Sequence, residues 1–220
     1  RRVCYAFGEA ADHFVHEGEP TGVQIRSETD YDDYGNAIVE RRLGVVATTG
    51  DEIVTEREYE LRLPDWRLDL VSRSTTRDGT GKRMAEQRSF YDSRGNLERL
   101  ELWLESQDRF IVALRQRFDA FGNVIEKIDA RGSRRSTSFE SLLNAWPTAE
   151  TIHLGERDLA MTAEYDLGLG VVTRAVSFTL EESNYTYDPL GRLVEKRHPG
   201  GAVESYEYQL AAPTSRVTKR

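Results

Sequence analysis

The chain has one cysteine, Cys4, so no disulfide framework holds it. No stretch approaches the roughly 20 consecutive apolar residues that a membrane-crossing helix needs. Positive charge is not in excess. With 30 Lys and Arg against 38 Asp and Glu, the net charge is −8, which argues against a nucleic-acid groove built from clustered cations. The short basic runs from Arg131 to Arg135 and at Lys196-Arg197 read as solvated faces. No segment of ten or more residues has helical periodicity. Apolar residues make up 38% of the chain and charged ones 31%, too little grease for a thick core and well suited to a sheet with much wetted surface.

The familiar catalytic signatures are missing as well. No Gly-x-Ser-x-Gly elbow is present, and neither His153 nor His198 has a recognisable triad partner in the sequence. Gly79-Thr80-Gly81-Lys82 lacks the earlier Gly of a phosphate loop, and Arg83 stands where Ser or Thr should follow the Lys. It reads better as a hairpin tip beginning at Asp78. Asp12, His13, His16, Glu17 and Glu19 imitate a metal cluster without a helical frame, and the expected structure there is an exposed connecting loop. Asp30, Asp32 and Asp33 lack the alternating-oxygen pattern of a calcium loop. No cofactor is expected.

What the chain does have is a repeated phrase: aromatic, Asp, two residues, Gly, then Asn or Arg. It occurs at Tyr31-Asp32-Asp33-Tyr34-Gly35-Asn36, Tyr91-Asp92-Ser93-Arg94-Gly95-Asn96, Phe118-Asp119-Ala120-Phe121-Gly122-Asn123 and Tyr187-Asp188-Pro189-Leu190-Gly191-Arg192. A degenerate copy, Tyr165-Asp166-Leu167-Gly168-Leu169-Gly170, has glycines on either side of the usual position and implies a longer or bulged turn. Tyr59-Glu60 and Phe139-Glu140 read as worn copies. Spacings fit a unit in the low twenties, enough for one hairpin with its connections. Such repetition points to an array rather than to a compact enzyme.

The phrase has a physical reading. Asp at the start of a turn accepts hydrogen bonds from backbone N–H groups two or more residues on. The Gly adopts a left-handed conformation freely, as a type I turn followed by a bulge demands. The flanks alternate with period two: Tyr59, Leu61 and Leu63 against Glu58, Glu60 and Arg62, then Leu100, Leu102 and Leu104, then Phe110, Val112, Leu114 and Phe118. Val172, Val176, Phe178 and Leu180 extend the pattern, as do Tyr206, Tyr208 and Leu210. The expectation is an all-β chain, an array of hairpins forming a curved antiparallel sheet.

These residues resemble an RHS/YD-repeat protein, the repeats being named for the Tyr-Asp pair at Tyr31, Tyr91, Tyr165 and Tyr187. The narrower likeness is to the toxin-complex B component and SpvB-like secreted proteins. It rests on Phe7-Gly8-Glu9-Ala10, on Trp146-Pro147-Thr148, and on Tyr206-Glu207-Tyr208 ahead of Ala212-Pro213-Thr214-Ser215. The resemblance implies a hollow shell wound from the repeats around a toxic polypeptide, with catalysis confined to the cargo and to a self-cleaving segment that has no match here. It implies a non-enzymatic wall of a secreted or host-delivered protein, with the rest of the same shell and the enclosed toxin as partners. Neither nucleic acid nor a membrane span is expected. Residues 1–27 would lead in from an upstream part, 28–215 would be the repeat sheet, and 216–220 would continue downstream, both ends reading as truncated. Two other classes stay open: a carbohydrate-binding or adhesion module using Trp66 or Trp103, and a glycoside hydrolase with paired carboxylates.

Overall fold

The structure is a computed structural model and describes residues 7–18, 20–211 and 215–220. Cys4, Glu19 and the stretch 212–214 of the last family motif lie outside the described residues. The chain divides into two compact units, Arg1–Arg115 and Gln116–Arg220. It is all-β, with no α-helix among the described residues.

The first unit contains β1 (Ala10–Val15), β2 (Val23–Tyr31), β3 (Ala37–Val45), β4 (Ile53–Arg62), β5 (Arg67–Asp78), β6 (Arg83–Tyr91), β7 (Leu97–Leu104) and most of β8 (Arg109–Phe118). Each strand pairs antiparallel with the next. Single 3₁₀ turns at Leu63–Asp65 and Glu105–Gln107 end in left-handed residues, Trp66 (φ 52°) and Asp108 (φ 43°). The metal-like histidine segment is part of this sheet and is not the loop expected: His13 lies in β1, opposite Ile25 of β2. Ladder pairing with β2 fixes it there.

The second unit holds β9 (Val124–Asp129), β10 (Arg134–Phe139), β11 (Pro147–His153), β12 (Asp158–Asp166), β13 (Val171–Val176), β14 (Glu182–Tyr187), β15 (Leu193–Arg197), β16 (Val203–Gln209) and β17 (Arg216–Lys219). From β9 onward it is again a meander of antiparallel neighbours. One expected strand ends early. Phe178 and Leu180 do not continue β13, because the Ser177 hydroxyl accepts the N–H groups of Thr179 (3.3 Å) and Glu181 (3.2 Å) and turns the chain.

Neither unit has an apolar core. Among the described residues the buried ones are Thr75, Glu86 and Ser89, and no apolar side chain is buried. Cohesion therefore comes from backbone ladders, cross-strand side-chain pairs and turn chemistry rather than from a packed interior.

Candidate functional site

The repeated turns are built alike. At Asp32 the backbone N–H donates to the Asn36 carbonyl (2.9 Å) and Gly35 N–H donates to the Asp32 carbonyl (3.1 Å). One carboxylate oxygen of Asp32 accepts the N–H groups of Tyr34 (2.9 Å) and Asn36 (2.8 Å), and the other accepts the Asn36 side-chain amide (2.8 Å). Gly35 has φ 91°, a conformation in which a Cβ is strained. The turns at Asp92, Asp119 and Asp188 repeat these backbone bonds, with Gly95, Gly122 and Gly191 at φ 84°, 89° and 76°. Each is a type I turn closed by a glycine bulge.

Burial tends to raise the carboxyls of Asp32, Asp92 and Asp119, but the hydrogen bonds from the following Asn and the turn amides outweigh it. All three are held below the ordinary value. Asp188 is lowered chiefly by Arg192, which takes the place of Asn.

The phrase also ties each hairpin to another. Asn36 donates its side-chain amide to the Leu68 carbonyl (2.6 Å) in β5, and Asn123 donates to the Asn144 carbonyl (2.6 Å) in the loop after β10. Arg192 instead lays its guanidinium over the Tyr208 ring, 4.7 Å from the centroid. The tyrosines reach the other way along the chain. Tyr59 donates its hydroxyl to Ala37 (3.1 Å), Tyr91 to Val71 (2.8 Å), Tyr165 to Pro147 (3.0 Å) and Tyr208 to Leu193 (2.9 Å), each time to a backbone carbonyl of an earlier strand. Arg62 of β4 adds bonds to the carbonyls of Tyr91 (3.4 Å) and Asp92.

Two of the family segments perform the same task. Phe7 stacks on Tyr31 with centroids 4.7 Å apart, and Gly8 accepts the Tyr31 hydroxyl (3.3 Å). Trp146 stacks on Tyr165 at 5.7 Å, next to the Pro147 that accepts its hydroxyl. A Cβ on Gly170 would lie 2.9 Å from the Trp146 ring, so this glycine makes room for the stack. The degenerate turn here is longer: Gly170 N–H donates to the Asp166 carbonyl (2.8 Å) and Asp166 pairs with Val171. In the worn copy, Glu140 does the work of Asp, accepting the N–H groups of Leu142 (2.6 Å), Leu143 (2.9 Å) and Ala145 (3.1 Å).

The rejected constellations are absorbed by local chemistry. The Asp78 carboxylate takes the N–H groups of Thr80 and Lys82, both at 3.0 Å, and its backbone carbonyl takes that of Gly81 (2.9 Å), so these amides close a turn and form no phosphate cradle. Asp30 pairs with Arg41 at 2.8 Å while Asp32 closes its turn, and Asp12 is held by Gln24 (2.9 Å). No group of three metal-ligating side chains occurs among the described residues. Arg134, Arg135 and Arg197 pair with Glu126, Glu150 and Glu195.

Trp103 lies under the Arg83 guanidinium (3.8 Å) and donates to Asp108 (3.1 Å), whereas Trp66 is 73% exposed. The most buried carboxylate among the described residues, Glu86, is 3% exposed and clamped by Arg73 (2.7 Å) and Arg83 (2.8 Å). Burial pushes its carboxyl up, the two guanidiniums outweigh that, and it stays below the ordinary range. A glycosidase acid needs the opposite, a raised carboxyl.

In the second unit a hollow of about 820 Å³ lies over the small residues Ala163, Ala175 and Ser183, between Phe139, Tyr165 and Tyr185. On the opposite face of β10 is an arrangement that the sequence did not disclose. Ser136 Oγ is 2.6 Å from His153 Nε2, and His153 Nδ1 is 3.0 Å from Asp158 Oδ2. His198 pairs with Glu204 at 3.2 Å. Only cross-strand register brings these groups together.

The fold and its turns define a class: an all-β array of antiparallel hairpins fastened to one another by a repeated Tyr-Asp signature. No family model matches the chain, and no curated protein matches it. Among solved structures it is similar to Tc toxin components. With the Photorhabdus luminescens Tc holotoxin pore it shares 14% identity over 89% of this chain and 11% of that one, at a TM-score of 0.48. With TcdB2-TccC3 without its hypervariable C-terminal region the identity is 15% over 84% and 11%, at a TM-score of 0.46. The chain thus spans 11% of the length of each of these two chains. No helix among the described residues is long and apolar enough to cross a membrane.

Proposed function

We propose that this chain is a wall segment of an RHS/YD-repeat toxin shell that encloses a polypeptide cargo and helps deliver it. The observation that carries the reading is the fastening of hairpin to hairpin, Tyr hydroxyl to an earlier strand and Asn amide to a later one. A sheet built this way grows by adding units, and its stability accumulates as neighbour-to-neighbour terms. It has no need of a thick core, and no apolar side chain is buried among the described residues.

On this reading the partners are the remainder of the same shell and the enclosed toxin, in a secreted virulence protein of the toxin-complex, SpvB-like kind that acts at the exterior or in a host. Residues 28–215 are the wall proper, flanked by 1–27 and 216–220 as continuations. The turn residues Tyr31, Asp32 and Gly35 and their counterparts are its structural site. Containment denies a partly unfolded cargo access to water, proteases and host targets, and it asks no bond-making chemistry of the wall. Downward-shifted carboxyls such as Glu86 support this over a hydrolase.

The test is protease protection of the cargo in the full-length protein. The cargo is expected to resist digestion while the shell is intact and to become cleavable when Asn36→Ala and Asn123→Ala loosen the hairpin links. Digestion at the rate of free cargo, with or without the substitutions, contradicts the reading.

A further inference from the structure

We propose that Ser136, His153 and Asp158 form a serine-nucleophile site that takes acyl groups from activated esters and releases them to water. The site goes beyond the wall function, which neither uses nor requires it. Its geometry follows from register. Ser136 of β10 pairs with Thr151 of β11, which places His153 on the diagonal two residues further along the same face. His153 pairs directly with Asp158 of β12. Three neighbouring strands thus present a hydroxyl, an imidazole and a carboxylate in a row, at 2.6 Å and 3.0 Å. Those are hydrogen-bond distances for a nucleophile, its base and the group that orients the base.

The chemistry assigns the tautomer. Asp158 accepts from Nδ1–H, leaving Nε2 as the acceptor for the serine proton. Both partners of Ser136 are reachable from water, the His153 side chain at 25% exposure and Asp158 at 50%. In the first step Oγ attacks the ester carbonyl carbon and its proton passes to Nε2. The bond to the leaving oxygen then breaks, and that oxygen departs with the proton. Water next attacks the acyl-serine, again giving a proton to Nε2, and the Oγ–carbon bond breaks as Oγ takes the proton back. Atoms balance and no oxidant is consumed.

Arg134, two residues before Ser136 and on the same face, offers a cation to the developing oxyanion. It is shared with Glu126 at 2.6 Å, whose backbone position is opposite Ser136. A shared guanidinium stabilises an oxyanion only in part. That restricts the site to esters whose leaving group carries its own charge well, such as aryl esters, and excludes amides. Ser136 and His153 are the catalytic residues, and Asp158 is a positioning residue.

The experiment uses 4-nitrophenyl acetate with the intact protein, following nitrophenolate release together with acetylation of the peptide that carries Ser136. Acetyl transfer to Ser136 is expected, lost entirely in Ser136→Ala and slowed on the order of 100-fold in His153→Ala, the scale of a missing general base. Asp158→Asn should slow acetylation of Ser136 and Asp158→Glu should restore it, because a carboxylate holds the imidazole through Nδ1–H. A purely structural trio would leave the acetylation rate unmoved in both. Circular dichroism of each variant separates lost chemistry from lost fold. Equal acetylation and nitrophenolate release in folded wild type and folded Ser136→Ala overturns the proposal, while leaving the wall reading untouched.

Discussion

Two sets of turns run through this chain, and their backbones are nearly the same while their sequences are not. The Tyr-Asp phrase occupies the turns that follow β2, β6, β8 and β14, at Asp32, Asp92, Asp119 and Asp188. Turns that follow β5, β9, β13 and β15 do not carry it, yet at Asp78, Asp129, Ser177 and His198 they make the same pair of backbone hydrogen bonds. Their fourth residues, Gly81, Gly132, Leu180 and Gly201, also have positive φ. In a meander the two sets fall on opposite edges of each unit. The turn itself thus needs only an acceptor at its first position and tolerance of positive φ at its fourth. The aromatic before the Asp and the Asn after the Gly are surplus to the bend. On the even-strand edge that surplus reaches neighbouring hairpins, and on the other edge Lys82, Ser133, Glu181 and Ala202 stand in the Asn position. The signature encodes linkage between hairpins more than the turn.

The comparison can be broken most forcefully at the glycines. Gly191→Val and Gly132→Val lie on opposite edges, and a Cβ at either meets nothing within 4 Å. Each should destabilise by about 2 kcal/mol in urea unfolding, because only the positive φ is violated. A large difference between them would show that the turns are not equivalent. Next come the linkers. Asn36→Ala should cost about 1.5 kcal/mol, since it strips bonds to Asp32 and to Leu68. Lys82→Ala, at the matching position on the other edge, removes a solvent-exposed ion pair to Glu105 (2.8 Å) and should stay within about 0.5 kcal/mol. Equal losses would refute the claim that the surplus residue links hairpins.

Tyr91→Phe should lose about 1 kcal/mol by removing the hydroxyl bond to Val71. Leu180→Gly should raise stability by roughly 0.5 kcal/mol, because relief of a left-handed leucine (φ 65°) exceeds the added freedom of the unfolded chain.

Acid should weaken both edges alike. The carboxyls of Asp32, Asp92, Asp78 and Asp129 are lower folded than free, so folding favours their ionised form. That stabilisation is complete above the ordinary value of 3.8 and fades as pH falls below it. Glu182 and Glu204, held to about 2 by Arg174 and by Lys219 respectively, extend the loss from the ordinary 4.5 down to that value. A stability that rises on acidification over this window would contradict these assignments.

Much of this was legible in the residues. Period-two alternation placed β4, β7 and β8, and the Asp and Gly spacing described a type I turn with a bulge. Other features depend on contacts between strands that no local pattern reveals. The acceptor of the Tyr91 hydroxyl is Val71, on a strand whose register is fixed only after folding. Glu86 is one Glu among many until β5 brings Arg73 beside it. Ser136, His153 and Asp158 are far apart as motif elements and adjacent only through two ladders. Ser177 closing a turn was hidden by the apolar Phe178 and Leu180, which mimic a continuing strand.

The most direct measurement is a high-resolution experimental structure of this chain, read at the side-chain amides of Asn36 and Asn123. The account predicts both donated to the carbonyls of Leu68 and Asn144, with the Tyr-Asp turns in file along one edge of each unit. Amides turned to solvent, or the turns scattered around a closed domain, would contradict it.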